Sequence, residues 1–398
     1  MSLFFKKRAY QKNLIPTPDL YLDPLNNPFQ HTDKREKEPS VEVFFATERQ
    51  RDVASSVGFY ISKRDSSLHL GKASVRIGPA GITWEDVLTQ SLKEKRDRQL
   101  SLEVTGVQEF GDLATILPES QLNDSFTEDI NQKLQRSKQK DIFVFVPGFK
   151  VPFEDPILVV RELWHYLGYD GIFLAYSWPS TSGRVTIYAH DVETTHYCVR
   201  NFRILLDYLA QSTCAEKIHI IGHSAGTRIV CAALNELRLI HSKENEAHLR
   251  KSLKIGHVIL MGGDFDRMVL KSYYRDHILD ILERVTFYVS RKDWVLKIAR
   301  ILFKTPRVGE TSSKDLSENA LKVLRQESKI QIIDATSAQG SHKEGGHCYL
   351  FTSSTISSDL ILLLKHNLNP QERHLKPKEE ELYWEFPKKR KRLSDKSN

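Results

Sequence analysis

The chain of 398 residues is 40% hydrophobic and 27% charged, which is enough apolar content for one large α/β domain or two ordinary ones and excludes wholesale disorder. Its four cysteines, Cys198, Cys214, Cys231 and Cys348, are too few and scattered for a disulfide framework and form no CxxC pair, so they read as reduced thiols of an intracellular protein. The formal charge of +7 resolves into +4 within residues 1–12 and +5 within 387–398, leaving a body of −2 and excluding a basic nucleic-acid face on the folded part.

No segment approaches the ~18–20 consecutive apolar residues of a spanning helix, and no apolar run of signal-peptide length follows the basic N-terminus. A cytoplasmic location is expected. The basic end PKKRKR (387–392) would act as a nuclear-localisation signal only in a eukaryotic cell. Either basic terminus can make weak, salt-sensitive contacts with anionic membranes or nucleic acid.

Residues 1–40, rich in Pro, Asn, Asp and Lys and without a sustained period, read as an irregular arm. Residues 41–140 read as strands and a helix that join the main sheet: VEVFFAT, GFYISK, KASVRI and SLEVTGV as strands, and a helix near 125–137. From 141 to 368 the rhythm is clearer. DIFVFV (141–146) is an apolar strand, followed by the turn Pro147-Gly148-Phe149 and a helix that Asp155 can N-cap and Gly168 can end. A strand over 171–176 closes on Ser177-Trp178-Pro179-Ser180. The next helix, over about 191–210, has Asp191 as its N-cap and a core stripe at Phe202, Leu206 and Leu209. KIHII (217–221) is a strand, and further strands cover 257–261, 285–289 and 330–333, with a last helix around 353–366. Residues 369–398 read as a charged tail. Apolar strands that alternate with helices imply a mostly parallel sheet covered on both faces.

Directly after KIHII comes Gly222-His223-Ser224-Ala225-Gly226, a G-x-S-x-G pattern. A nucleophilic serine must be thrust out of a sharp strand-to-helix turn, and the flanking glycines leave room for that turn. The helix that starts there aims its amides at the site, so Ala225 N–H can bind an oxyanion. The acid and histidine should follow in that order. Asp293 stands just beyond the 285–289 strand; Asp264, in MGGDFD one strand earlier, is the competing acid. His347, in Gly345-Gly346-His347-Cys348-Tyr349 before the last helix, is the base, with His342 as the alternative. Pro147 has no N–H, so the second oxyanion donor is the Phe149 amide.

Together these residues resemble the α/β-hydrolase superfamily, and within it the poorly characterised bacterial esterase/lipase-superfamily branch. The shared motifs are the VEVFFATERQR strand end, the Pro147–Phe149 turn, SWPS at 177–180, GHSAG at 222–226, YVSRKD at 288–293 and GHCY at 346–349. Pro147 stands where that branch carries histidine, and its stiffness can substitute for the imidazole in fixing the loop. The resemblance implies an α/β-hydrolase fold and a serine esterase or lipase-like enzyme with no cofactor and no metal. In that reading Ser224 attacks a small-molecule or lipid-like ester, His347 moves the proton, Asp293 orients it, and Phe149 and Ala225 hold the oxyanion.

The rivals are an inactive hydrolase scaffold that binds a partner, and an acyltransferase or thioesterase built on the same triad. His190 and His196 lack further ligands at a recognised metal spacing. Trp178 either packs beneath the catalytic end or lines the pocket. The connections 265–282 and 294–328 are expected to cover the site, and their mix of aromatic, apolar and basic side chains suggests a pocket able to take an apolar acyl or alcohol group. Oligomeric state is not legible.

Overall fold

The computed structural model describes residues 10–53, 59–113, 125–181, 188–378 and 383–387. Twelve strands form one sheet: β1 (Gln11–Asn13), β2 (Ser40–Arg51), β3 (Tyr60–Ile77), β4 (Ser101–Leu113), β5 (Asp141–Val146), β6 (Ile172–Ser177), β7 (Lys217–His223), β8 (Ile255–Met261), β9 (Leu282–Val289), β10 (Ile330–Asp334), β11 (Lys376–Lys378) and β12 (Tyr383–Glu385). Their spatial order is β1-β4-β3-β2-β6-β5-β7-β8-β9-β10-β12-β11. Every pairing from β2 to β12 in that order is parallel, and the two ends of the sheet are antiparallel.

The central strands are apolar throughout because helices cover both faces. All residues of β5, β6 and β8 are buried. The two-residue period of a strand sorts them. Ile142, Val144 and Val146 join Ile218 and Ile220 on one face, under Phe202, Leu206 and Leu209 of the helix Tyr188–Ser212. Phe143 and Phe145 join Ile221 and Ile259 on the other, under Ile157 and Val160 of the helix Glu154–Tyr166 and Leu360 and Leu364 of the helix Ser354–His366. Each such fully buried Leu, Ile or Phe contributes roughly 1.5–3 kcal/mol.

Several local expectations need correction. GFYISK and KASVRI belong to one long strand, β3, which runs through the polar residues between them; Gly58 lies outside the described residues. The helix Glu154–Tyr166 has Phe153 at its cap position without a side-chain bond, and Asp155 sits inside its first turn, where it accepts from Tyr10 Oη at 2.7 Å. Asp191 likewise lies within a helix that already begins at Tyr188, and its carboxylate accepts from Thr181 N and Oγ1. In both cases a distant donor wins over the local cap.

The two ends of the chain are also more structured than their composition suggests. From Tyr10 onward the N-terminal arm lies against the body, with Leu14, Ile15, Tyr21 and Phe29 buried. The amide of Ile15 donates to the buried Glu162 carboxylate at 3.1 Å. Part of the 369–398 stretch pairs onto the sheet, where β12 runs parallel to β10. There the buried Arg373 donates to Asp359 Oδ2 at 2.7 Å and to Gln331 at 3.1 Å. The basic residues 388–392 and the basic stretch 6–8 lie outside the described residues. No helix among the described residues is long and apolar enough to cross a membrane.

Candidate functional site

β7 ends at His223, and Ser224 follows with φ +52° before the helix Gly226–Ile240 begins. A serine in this left-handed region costs on the order of 1–3 kcal/mol, and its surroundings must hold it there. They do so through the backbone: Ser224 N donates to Met261 O at 2.9 Å, while Ser224 O accepts from Thr227 N and Asp264 N. The glycines are required by close approach. A Cβ on Gly226 would lie 2.4 Å from Pro147 O and 2.5 Å from Val146 O, and one on Gly222 would lie 3.2 Å from Val230 Cγ2. The elbow therefore packs directly against the end of β5.

Ser224 Oγ lies 2.7 Å from His347 Nε2, and His347 Nδ1 lies 2.6 Å from Asp293 Oδ2. Asp293 Oδ2 accepts the Nδ1 hydrogen, so Nε2 carries a lone pair toward the serine hydroxyl. All three side chains are buried. Asp293 is also the N-cap of the helix Trp294–Phe303, with Oδ1 accepting from Leu296 N at 3.0 Å, so the helix fixes the carboxylate's orientation. The histidine loop reaches the serine through three successive left-handed residues, Glu344, Gly345 and Gly346. A Cβ on Gly346 would come 2.6 Å from Lys292 O, so close approach as well as its positive φ favours glycine there, while at Gly345 the φ of +72° alone does. Gly262 closes the other side, its hydrogen facing the His347 ring where a Cβ would lie 3.2 Å from Cε1. His342, the alternative base, is exposed on the surface.

The Pro147–Phe149 turn lies over the serine: a Cβ on Gly148 would be 2.9 Å from Ser224 Cβ and 3.4 Å from Oγ. Among the described residues no hydrogen bond engages the amides of Phe149 or Ala225. The turn is clamped from outside. The buried Trp178 donates its indole N–H to Pro147 O at 2.8 Å, which places this ring beneath the turn and outside the cleft lining. Ser180 Oγ accepts from Val151 N at 3.1 Å, and Ser177 Oγ donates to Phe153 O. Arg49, buried at the end of β2, donates to Val151 O at 2.8 Å and to Ser177 Oγ at 3.2 Å. Thr47 Oγ1 donates to Ser177 O at 2.6 Å. The threonine-basic strand end and the SWPS motif thus form one brace that positions the turn, a role the sequence pattern alone did not disclose.

Asp264, the competing acid, makes no bond to His347. It accepts from Tyr188 Oη and pairs with Arg307 at 3.5 Å and Arg228 at 3.7 Å. Tyr188 in turn packs edge-on against Phe149, with ring centroids 4.9 Å apart. Burial pushes the Asp264 carboxyl up to about 7, against the pull of Arg307. Because the folded state holds the proton that the unfolded chain releases near 4, this group's contribution falls as pH rises from about 4 to about 7. Asp264→Asn should therefore gain on the wild type in melting temperature between pH 5 and pH 8, and a constant difference across that range would contradict the assignment.

His223 beside the nucleophile is held neutral, its pKa lowered to about 3 by burial and by the neighbouring His347, and its Nε2 hydrogen donates to His347 O at 3.3 Å. Cys348 lines the cleft, but burial pushes its thiol up to about 12, so it is no rival nucleophile. Among the described residues no group of three His, Cys, Asp or Glu is placed to hold a metal ion, and His190 and His196 belong to no such group.

Ser224 and His347 open into a cleft of about 940 Å³. Its walls correct the expected cover. None of residues 265–282 or 294–328 lines it; instead the arm from Tyr10 to Thr17 and the segment around Arg96 do. Lys12 enters from the arm, its Nζ 3.6 Å from Glu162 and 3.8 Å from the Phe351 ring centroid. Arg96 holds the arm in place by donating to Leu14 O and Ile15 O. The cleft is therefore lined by charged as well as apolar side chains, supplied by the arm and the segment around Arg96 and not by the two expected connections.

A largely parallel sheet with this strand order, and a serine on the turn after its central strand, define the α/β-hydrolase class. The chain belongs to the family described as alpha/beta hydrolase of unknown function (DUF900), whose pattern matches residues 122–364. It is thus a hydrolase of the superfamily its motifs resemble. Among curated proteins none matches the chain. Solved structures similar to it include a lipase-esterase related protein from Clostridium acetobutylicum ATCC 824, 12% identical, covering 58% of this chain and 96% of that one with a TM-score of 0.30. Another is the "putative cell surface hydrolase" from Lactobacillus plantarum WCFS1, 13% identical, covering 60% and 96% with a TM-score of 0.32.

Proposed function

We propose that the protein is a serine hydrolase that cleaves a carboxylic ester through an acyl-enzyme. The observation that carries this reading is the unbroken line from Ser224 Oγ to His347 Nε2 at 2.7 Å and from His347 Nδ1 to Asp293 Oδ2 at 2.6 Å, opening into the cleft. In the proposed reaction Ser224 Oγ attacks the ester carbonyl as His347 Nε2 takes its proton. Asp293 holds the ring in the required tautomer and stabilises the imidazolium. The tetrahedral oxyanion forms beside the Phe149 and Ala225 amides, and the N-terminal end of the helix Gly226–Ile240 adds its positive dipole. The imidazolium then protonates the departing alcohol. Water, deprotonated by His347, attacks the acyl-enzyme and releases the acid.

The brace around the turn makes a specific demand on this mechanism. Gly148→Ala should lower kcat/KM for a soluble ester by about 10²-fold, since a new methyl against Ser224 displaces either the turn or the nucleophile. Thermal unfolding measured alongside should shift far less than it would for a core truncation; full activity in the variant would remove the turn from the reaction.

The proposal as a whole is tested by a panel of esters with graded acyl length, each run with wild type and Ser224→Ala. Hydrolysis of at least one ester that depends on Ser224 supports it. Preferred acyl transfer to added alcohols or thiols over water would redirect it to an acyltransferase, and no Ser224-dependent turnover of any ester would overturn it.

A further inference from the structure

The helix Trp294–Phe303 is unusual for a surface helix. Leu296 and Ala299 turn inward and are buried, but Trp294, Ile298, Ile301 and Leu302 are each at least 53% exposed. Their spacing puts all four on one helical face. Isolated exposed aliphatics are ordinary, whereas a contiguous stripe of large ones marks an interaction surface. The neighbouring helix Arg267–Arg275 extends it. Its start is joined to the segment after Phe303 by the bridge between Asp266 and Arg307 and by Arg267 N donating to Pro306 O, and its Met268 is 67% exposed.

The frame around this stripe is cationic. Residues 291–304 carry Arg291, Lys292, Lys297, Arg300 and Lys304 against the single, buried Asp293. The helix Arg267–Arg275 holds three cations and no acid. Arg300 pairs with Glu310 at 3.5 Å and Arg291 lies 4.0 Å from Asp334, so the local surplus is carried chiefly by Lys292, Lys297 and Lys304. Lys297 Nζ stands 4.9 Å from the Trp294 ring centroid. A tryptophan and long aliphatics flanked by lysines match the chemistry of an anionic lipid surface, where rings and chains enter the headgroup layer and ammonium groups meet the phosphates. The core of a protein interface is, by contrast, depleted in lysine.

The stripe also lies beside the catalytic histidine loop. A Cβ on Gly345 would be 3.9 Å from Trp294 Cβ, and the adjacent Lys343 and Glu344 line the cleft. We propose that the exposed face of Trp294–Phe303, with Met268 at its margin, docks the protein on an anionic lipid bilayer and sets the cleft beside the membrane surface. This binding is separate from hydrolysis and stands whether or not Ser224 acts on esters.

The test uses the full chain, sedimented with vesicles of phosphatidylcholine alone or mixed with phosphatidylglycerol. The expected result is co-sedimentation with the anionic vesicles that weakens with added salt, with Ser224→Ala binding as the wild type does. The triple variant Ile298→Ser, Ile301→Ser, Leu302→Ser should lose at least about tenfold in partitioning, with unchanged circular dichroism and unchanged turnover of a soluble ester if the wild type shows any. Absence of binding to the anionic vesicles would overturn the proposal. So would equal binding by the triple variant, which would assign the attraction to the basic termini. A concentration-dependent dimer that the triple variant abolishes would overturn it as well, because a second copy would then cover the face.

Discussion

Ser224→Ala should retain the fold and lose essentially all hydrolysis, with kcat falling on the order of 10⁶-fold, as when a triad nucleophile is removed elsewhere. The magnitude follows from geometry: among the described residues no other nucleophile stands at His347 Nε2, and the nearby Cys348 thiol is held protonated. The same position yields a second readout. Ser224 has φ +52°, a conformation glycine adopts without steric cost and alanine does not. Ser224→Gly should therefore be as inactive as Ser224→Ala but more stable than it by about 1 kcal/mol. Chemical denaturation of the two variants measures this. Equal stability would mean that the elbow is not strained, and residual turnover in either variant would place the nucleophile elsewhere.

Asp293→Asn should lower kcat by about 10⁴-fold while leaving stability nearly unchanged. Asparagine caps a helix about as well as aspartate, so the helix Trp294–Phe303 keeps its N-cap. The negative charge facing His347 Nδ1 is lost, and with it the tautomer preference and the stabilised imidazolium. Asp264→Asn is the internal comparison. Its carboxylate is engaged by Tyr188, Arg307 and Arg228 and not by the histidine, so its effect on kcat should be far smaller. A larger loss in Asp264→Asn than in Asp293→Asn would exchange their roles.

The parts of the site that were legible in the sequence are those where backbone geometry restricts residue choice. Gly226 is needed because the end of β5 crowds the elbow, Gly222 because Val230 of the following helix and Leu260 of β8 stand close, and Gly345 and Gly346 because the histidine loop turns through left-handed conformations. The central strands could be read for a similar reason: burial on both faces demands apolar runs such as DIFVFV. What could not be read depends on contacts distant in the chain. The arm has no period, and it is fixed by the Glu162 carboxylate meeting Ile15 N and by Arg96 meeting Leu14 O. β12 is three residues long, too short for a period to show, and it is recruited by the free edge of β10. Asp155 and Asp191 had the right identity for caps but found partners elsewhere, in Tyr10 and Thr181. The cleft walls were misread because the connections 265–282 and 294–328 pack on the Asp264 side of the site, while the arm, remote in sequence, lines the cleft.

A fluorophosphonate probe reports directly on the central claim that Ser224 is an activated nucleophile, because it reacts only with a serine whose proton can be removed. Peptide mapping of the labelled, folded protein should place a single phosphonate on Ser224, with labelling lost in Ser224→Ala and strongly slowed in His347→Ala. A folded protein that takes up no probe, or takes it up at another residue, would contradict the account.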